Sequence, residues 1–301
     1  MAQEIERHGL KYKIMFITIR NTSFIALLTL FICLSFFNIS FAQNCFSVPS
    51  VWAPLYDRLV KDGEDPEELS FLFSSVTFDK RVMPRKLKHK EYKAHYEKFL
   101  QKSRIARAKR FLARNLILLQ EVQDQFGVPK EIMTSIFLIE TDLGRYLGAG
   151  SAFRILASMA LATDFNSVRP WLPQELLGKN EKKTRLKLKK KAEWAYNELR
   201  ALLKYAKQNS MDILSIKGSI FGAIGLCQFM PSNALRFGID FDKDNRVDLF
   251  SLPDAAASMA NYLKHYGWRK GLSREEKVKV ILKYNYSRPY ANTVLKVASR
   301  L

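Results

Sequence analysis

Ile132-Met133-Thr134-Ser135-Ile136-Phe137-Leu138-Ile139-Glu140-Thr141-Asp142-Leu143-Gly144 is the stretch around which the chain is organised. Met133, Ile136, Phe137 and Glu140 recur at i, i+3, i+4 and i+7, the spacing of one helical stripe. The first three are apolar and the last is a carboxylate. Burying an ionised carboxylate strips its hydration. Glu140 also falls in the last turn before the Gly144 stop signal, where the backbone dipole is negative. Both effects push its carboxyl group toward holding a proton near neutral pH, as a general acid must. A glutamate tipped into solvent at a frayed helix end satisfies the same pattern.

The 301 residues are 48% hydrophobic and 26% charged, which suits one large domain or two small ones. A formal charge of +20 implies a polyanionic partner: nucleic acid, anionic lipid or an acidic wall polymer. The N-terminus chooses among them. Arg7, Lys11, Lys13 and Arg20 precede an apolar run from Phe24 to Phe37, and Ser40-Phe41-Ala42 puts small residues at the −3 and −1 positions of a cleavage site. This reads as a signal peptide over residues 1–42 and export to the periplasm, with an uncleaved anchor as the alternative. Export disfavours nucleic acid and favours the wall polymer or a membrane surface. After residue 42 only Cys45 and Cys227 remain, too few for a disulfide scaffold; a bridge between them is left open. None of His8, His89, His95 and His265 stands beside a Ser or Cys nucleophile, which argues against a His-dependent triad.

The rest of the chain reads as mainly α. Residues 43–80 are helical, with an amphipathic segment over Trp52–Val60 and a helix start at Asp65-Pro66-Glu67-Glu68. Residues 86–126 form one or two basic amphipathic helices, whose apolar side carries Tyr92, Tyr96, Phe99, Phe111 and Leu119. Phe126-Gly127-Val128-Pro129 is a break, and Pro129 opens the Glu140 helix. An apolar helix follows over Phe153–Phe165. A turn-rich connection and the lysine-rich Lys179–Lys191 read as an exposed, mobile loop running into a helix over Ala192–Gln208. The glycines between Lys217 and Gly225 imply a sharply bent backbone, with a small hairpin near 213–222 and a Ser232 helix cap beyond it.

Asp240, Asp242, Asp244 and Asp248 occupy positions 1, 3, 5 and 9 of a loop that begins like an EF-hand. Asn245 replaces the usual glycine, which its tolerance of left-handed backbone allows. Ser251 stands where the last glutamate belongs, and the next acid is Asp254. The pattern fits a structural calcium ion; a solvated acidic turn capping the helix near Pro253 is the alternative.

Together these pieces resemble lytic murein transglycosylases of the MltB type (glycoside hydrolase family 103, lysozyme-like superfamily). The resemblance spans roughly residues 92–301. It rests on Gly127-Val128-Pro129, Ile139-Glu140-Thr141 with Gly144 and Arg145, the run from Gly222 through Gln228-Phe229-Met230-Pro231-Ser232, the acidic loop, Ala260-Asn261-Tyr262, Gly267-Trp268, and the run from Tyr284-Asn285 through Ser287 to Tyr290-Ala291. It implies a lysozyme-like helical core over 127–301, N-terminal helices over 43–126, and a lysine-rich insertion at about 166–191. It implies Glu140 as catalytic acid/base. Ser219, Gln228, Phe229, Tyr262, Tyr284 and Asn285 would line the sugar site, with Tyr96 a weaker match. Asp240, Asp242, Asp244, the Arg246 carbonyl and Asp254 would hold calcium, and no organic cofactor is implied. Lys190 and Lys191 depart from arginines that are frequent in the family, and Trp194 from a tyrosine.

The implied reaction cleaves the MurNAc–GlcNAc β-1,4 bond of peptidoglycan glycan strands and closes a 1,6-anhydro ring. Two-carboxylate glycosidases need a second acid, and Asp142 should face elsewhere on the helix. A single acid suffices if the substrate supplies the nucleophile. The rivals are a hydrolytic muramidase and a non-catalytic, calcium-stabilised wall-binding protein. Peripheral contact with a membrane or wall-synthesis proteins is left open.

Overall fold

The computed structural model describes residues 47–88, 94–148, 150–178 and 181–301. Phe46–Leu301 form one compact unit. The expected signal segment 1–42, Cys45 and Tyr92 lie outside the described residues. No helix among the described residues is long and apolar enough to cross a membrane.

The helices of seven or more residues are α1 (Ala53–Lys61), α2 (Pro66–Ser74), α3 (Val82–Lys88), α4 (Lys102–Arg114), α5 (Leu116–Phe126), α6 (Lys130–Thr141), α7 (Ala152–Ala160), α8 (Glu181–Gln208), α9 (Pro231–Phe237), α10 (Leu252–His265), α11 (Arg274–Tyr284) and α12 (Arg288–Ala298). The mainly helical reading is correct, and its caps are partly as expected. Asp65 accepts hydrogen bonds from the Glu67 and Glu68 amides at the start of α2. Gly127 ends α5 in the left-handed region, at φ 75°.

Several boundaries differ from the sequence reading. Residues 86–126 break into α3, a short turn of helix at Ala94–Glu97, α4 and α5. The lysine-rich segment is the first part of α8 rather than a loop. Lysine is a good helix former, and Thr184 and Leu188, one turn apart, are buried. Ser232 is not a cap: Met230 holds that position. The Ser232 amide and hydroxyl instead donate to the two oxygens of buried Glu198 on α8, at 2.9 and 2.8 Å.

The core surrounds α6. From Ile132 to Leu138 every side chain is buried, so α6 is enclosed rather than striped. It packs against α4, α5, α10 and α12, while α7 lies along α8. Half-buried residues occur only at its two ends, Lys130 and Glu131 at the first and Ile139 and Glu140 at the last. The fold therefore brings the Glu140 carboxylate to the edge of an apolar core.

The expected local hairpin is replaced by a long-range pairing. Strand β1 (Gly150–Ser151) pairs antiparallel with β2 (Lys217–Gly218), through Gly150–Gly218 and Ser151–Lys217. Isolated bridges Gly218–Ile224 and Ile224–Phe229 fold the following turn back on itself. Gly148 makes this approach possible. Its φ is +115°, and a Cβ there would lie 2.0 Å from the Gly218 carbonyl oxygen. Gly148→Ala is expected to cost about 2–5 kcal/mol, from backbone strain plus overpacking. Calorimetric melting checks this, and an unchanged Tm would show that the contact opens freely.

Candidate active site

Helix α6 ends at Thr141, before the expected Gly144 stop. Asp142, Leu143 and Gly144 all take positive φ, at 52°, 65° and 83°. The Leu143 amide closes the end by donating to the Phe137 carbonyl at 2.9 Å. Asp142 tolerates the left-handed region, and its carboxylate is held by Arg107 at 2.6 Å, Arg104 at 3.3 Å and Arg145 at 3.8 Å. Asp142 thus answers to arginines of α4 and its own turn. This agrees with its expected divergence from Glu140.

The turn is tied to a distant segment. The Thr141 hydroxyl donates to the Leu226 carbonyl at 3.1 Å, and the Leu226 amide donates to the Leu249 carbonyl at 2.8 Å. The residue beside Glu140 is therefore anchored to the segment that carries Gln228 and Phe229.

Glu140 itself receives a hydrogen bond. The Tyr290 hydroxyl, from the first turn of α12, donates to its Oε1 at 2.6 Å. Tyr290 is 1% exposed. Burial, and then the Glu140 charge, hold its phenol well above the ordinary range, so the proton stays on Tyr290. Tyr284 stacks on Tyr290 with centroids 6.5 Å apart and planes at 9°. Tyr96 meets Tyr290 edge-on at 5.9 Å. The Cys227 thiol is pushed up to about 12, chiefly by burial, with a smaller contribution from Glu140. Tyr284, Tyr290 and Cys227 all feel the Glu140 charge. Cys227 is buried, with no disulfide partner among the described residues. Tyr290 had no role in the sequence reading. It lies 150 positions from Glu140, and no local periodicity could pair the two.

The other predicted site residues divide into open and committed groups. Phe229 and Tyr262 are 2% and 5% exposed and pack on each other at 5.4 Å, so they form wall rather than open stacking faces. The Tyr262 hydroxyl donates to the Lys283 carbonyl and that of Tyr284 to the Cys227 carbonyl. Gln228 has φ 50°, and its amide nitrogen donates to the Gly225 carbonyl at 2.9 Å. The Ser219 hydroxyl accepts from the Phe221 and Ala223 amides and closes the turn between them. Asn285 caps the end of α11 and is half-buried. Its side-chain amide makes no hydrogen bond among the described residues.

The acidic loop brings together three of its five predicted ligands. Carboxylate oxygens of Asp240, Asp242 and Asp244 lie within 4.8 Å of one another. Asn245 is left-handed as expected, at φ 69°. Asp254 is not part of this cluster. It is 1% exposed, and its oxygens accept from the Phe241 amide at 2.8 Å and the Asp248 amide at 2.7 Å. Burial pushes its carboxyl group up, against the pull of these amides. Asp248 turns to the Phe250 amide instead. The full EF-hand arrangement is therefore not formed; Asp254 braces the loop by accepting backbone hydrogen bonds.

The Transglycosylase SLT domain family matches residues 47–280. The chain belongs to this family. Membrane-bound lytic murein transglycosylase B of Escherichia coli K12 is 34% identical over 146 residues, covering 48% of this chain and 34% of that protein. The match thus spans about a third of that relative's length. Among solved structures, soluble lytic transglycosylase SltB1 from Pseudomonas aeruginosa superposes with a TM-score of 0.68 at 24% identity, covering 84% of this chain and 98% of that one. Escherichia coli Slt35, solved in complex with calcium, gives 0.69 at 22%, covering 85% and 93%. SltB3 from Pseudomonas aeruginosa, solved with NAG-NAM-pentapeptide, gives 0.66 at 21%, covering 83% and 79%. These structures share the fold.

Against this family background, the departures at Lys190, Lys191 and Trp194 all fall on α8. Lys190 is exposed and Lys191 half-buried. Trp194 lies under the Lys86 ammonium, 4.7 Å from its ring centroid. The neighbouring Glu193 is held by both guanidinium nitrogens of Arg58, at 2.7 and 3.1 Å.

Proposed function

We propose that this chain is a peptidoglycan lytic transglycosylase with Glu140 as its single acid/base. The observation that carries the reading is a half-buried carboxylate at the end of a core helix, gripped by a buried tyrosine hydroxyl. Protonated Glu140 gives its proton to the bridging oxygen as the MurNAc–GlcNAc bond breaks, releasing the GlcNAc 4-hydroxyl. The MurNAc N-acetyl oxygen supports the electron-poor C1. Glu140 then takes the proton of the C6 hydroxyl while that oxygen bonds to C1. The nucleophile is tethered to the same sugar, so the step gains from proximity. Asn285 and Gln228 supply polar groups for the N-acetyl or the developing charge, and Ser219, Tyr284 and Tyr96 are the further sugar contacts of this reading. Phe229 and Tyr262 hold the wall in shape.

Asp240, Asp242 and Asp244 would hold a calcium ion, with the Arg246 carbonyl as a further donor, while Asp254 keeps the loop in shape through the Phe241 and Asp248 amides. An all-oxygen donor set suits a hard cation. The ion would neutralise the acids and stiffen the loop, with no part in bond cleavage. The chain's net charge of +20 suits a polyanionic partner, and export would make that partner the wall polymer rather than nucleic acid. A signal over residues 1–42 would deliver it to the periplasm.

Mass spectrometry of digested wall tests this reading. The expected product is an anhydromuropeptide, lighter by one water than the hydrolytic product. Hydrolytic products would make it a muramidase, and a lack of soluble products would leave wall binding alone.

Tyr290→Phe removes a donor that favours ionised Glu140. The proton affinity of Glu140 should rise, so the limb of the pH–rate profile set by this group moves to higher pH. A limb that stays in place would separate Tyr290 from the chemistry.

A further inference from the structure

A cleft is lined in part by Ile220 and Phe221, on the turn that follows Ser219. It has a volume of about 630 Å³ and is walled by Trp171, Pro84, Pro173, Ile220 and Phe221. Lys80, Arg81 and Arg85 stand at its rim, all exposed. Trp171 and Ile220 are 44% and 49% exposed and line the same cleft, so they present a shared apolar surface. The cations are unevenly matched. Arg81 pairs with Asp79 at 3.4 Å. Lys80, Arg85 and Lys86 make no ion pair among the described residues. Lys80 sits over the Trp171 ring at 4.9 Å, and Lys86 over Phe221 at 4.0 Å. Burial, with Lys191 nearby, lowers Lys86 to about 8, and no carboxylate among the described residues offsets this.

We infer that this cleft binds the carboxylate-bearing peptide attached to the wall glycan. The inference rests on the reading of this chain as a glycan-cleaving enzyme and specifies which part of the strand it reads. Cationic rim and apolar floor call for a ligand with both carboxylates and aliphatic surface, which a peptide has. A phosphodiester polymer would meet the charges but gain little from Trp171, Pro173 and Ile220. Position agrees: Ile220 and Phe221 lie on the same turn as Ser219, so a sugar held at Ser219 would lie next to the cleft. The lysine-rich start of α8 adds positive charge nearby, through Lys191.

Calorimetric titration of the full chain carrying Glu140→Gln tests this without turnover. The probes are NAG-NAM-pentapeptide, peptide-free NAG-NAM and a glycerol-phosphate oligomer. The pentapeptide form should bind roughly tenfold tighter than NAG-NAM, the worth of one or two charge-assisted contacts. Adding Trp171→Ala with Lys80→Glu and Arg85→Glu, all at exposed positions, should erase that difference and leave NAG-NAM binding intact. Equal affinity for the two sugars, equal loss of both in the variant, or tighter binding of the phosphate oligomer would each overturn the peptide site. Because no product is measured, a failure of the proposed cleavage reaction is detected separately, by the wall digest.

Discussion

Glu140→Gln should fold normally yet release no detectable anhydromuropeptide. The substitution keeps the shape and a hydrogen-bonding oxygen for Tyr290, whose hydroxyl donates at 2.6 Å in the parent. What it removes is a group that can give up and retake a proton. General acid/base catalysis contributes about 10²–10⁴-fold. Here one group serves both the leaving oxygen and the attacking hydroxyl, so the loss should lie at or above the top of that range. Chromatography of digested wall with mass detection reads the product, and circular dichroism and melting report the fold. Product at near-parental rates from a folded variant would move the chemistry elsewhere. The core makes the control meaningful. Glu140 is half-buried at the edge of α6, while the side chains from Ile132 to Leu138 are buried, so packing is undisturbed.

Asp254→Ala should produce the largest loss of stability. Asp254 is 1% exposed, and its two oxygens accept from the Phe241 and Asp248 amides. Removing the carboxylate strands both donors, at about 1–3 kcal/mol each, or about 2–6 kcal/mol in all. For a chain of this size that lowers Tm by roughly 5–15 °C. Any rise in Tm that calcium gives the parent should vanish as well. At a hundredfold excess over Kd, such a ligand stabilises by about 2.7 kcal/mol. Scanning calorimetry of parent and variant, each in calcium and in chelator, separates the two effects. An Asp254→Ala Tm within about two degrees of the parent would show that this carboxylate does not brace the loop. The loss should reach the candidate site, because the loop continues to Leu249, whose carbonyl holds the Leu226 amide, and the Leu226 carbonyl accepts from Thr141.

Local signals foretold much of this. Pro129 does precede α6, Asp65 does cap α2, and Asn245 is left-handed, because each depends on the residue's own backbone preferences. The errors arose where tertiary contacts overrode local ones. Gly144 is not the residue that ends α6, because the Phe137 carbonyl and the arginines around Asp142 let a non-glycine turn the chain first. The lysine-rich segment forms helix because buried Thr184 and Leu188 give it a face to pack.

Sequence alone determined that this chain is mainly helical, that it carries a solitary carboxylate at the end of an apolar helix, and that acids crowd the 240–248 loop. Helical period, capping chemistry and charge spacing are properties of neighbours in the chain, and neighbours can be read in order. Tertiary structure alone decided that Tyr290 grips Glu140, that Asp254 braces backbone amides rather than joining the acid cluster, that Phe229 and Tyr262 are wall, and that Trp171 faces the Ser219 turn across a basic cleft. Each of these joins residues far apart in sequence. Such pairings are set by which surfaces the folded core leaves facing one another, and no periodicity along the chain encodes them.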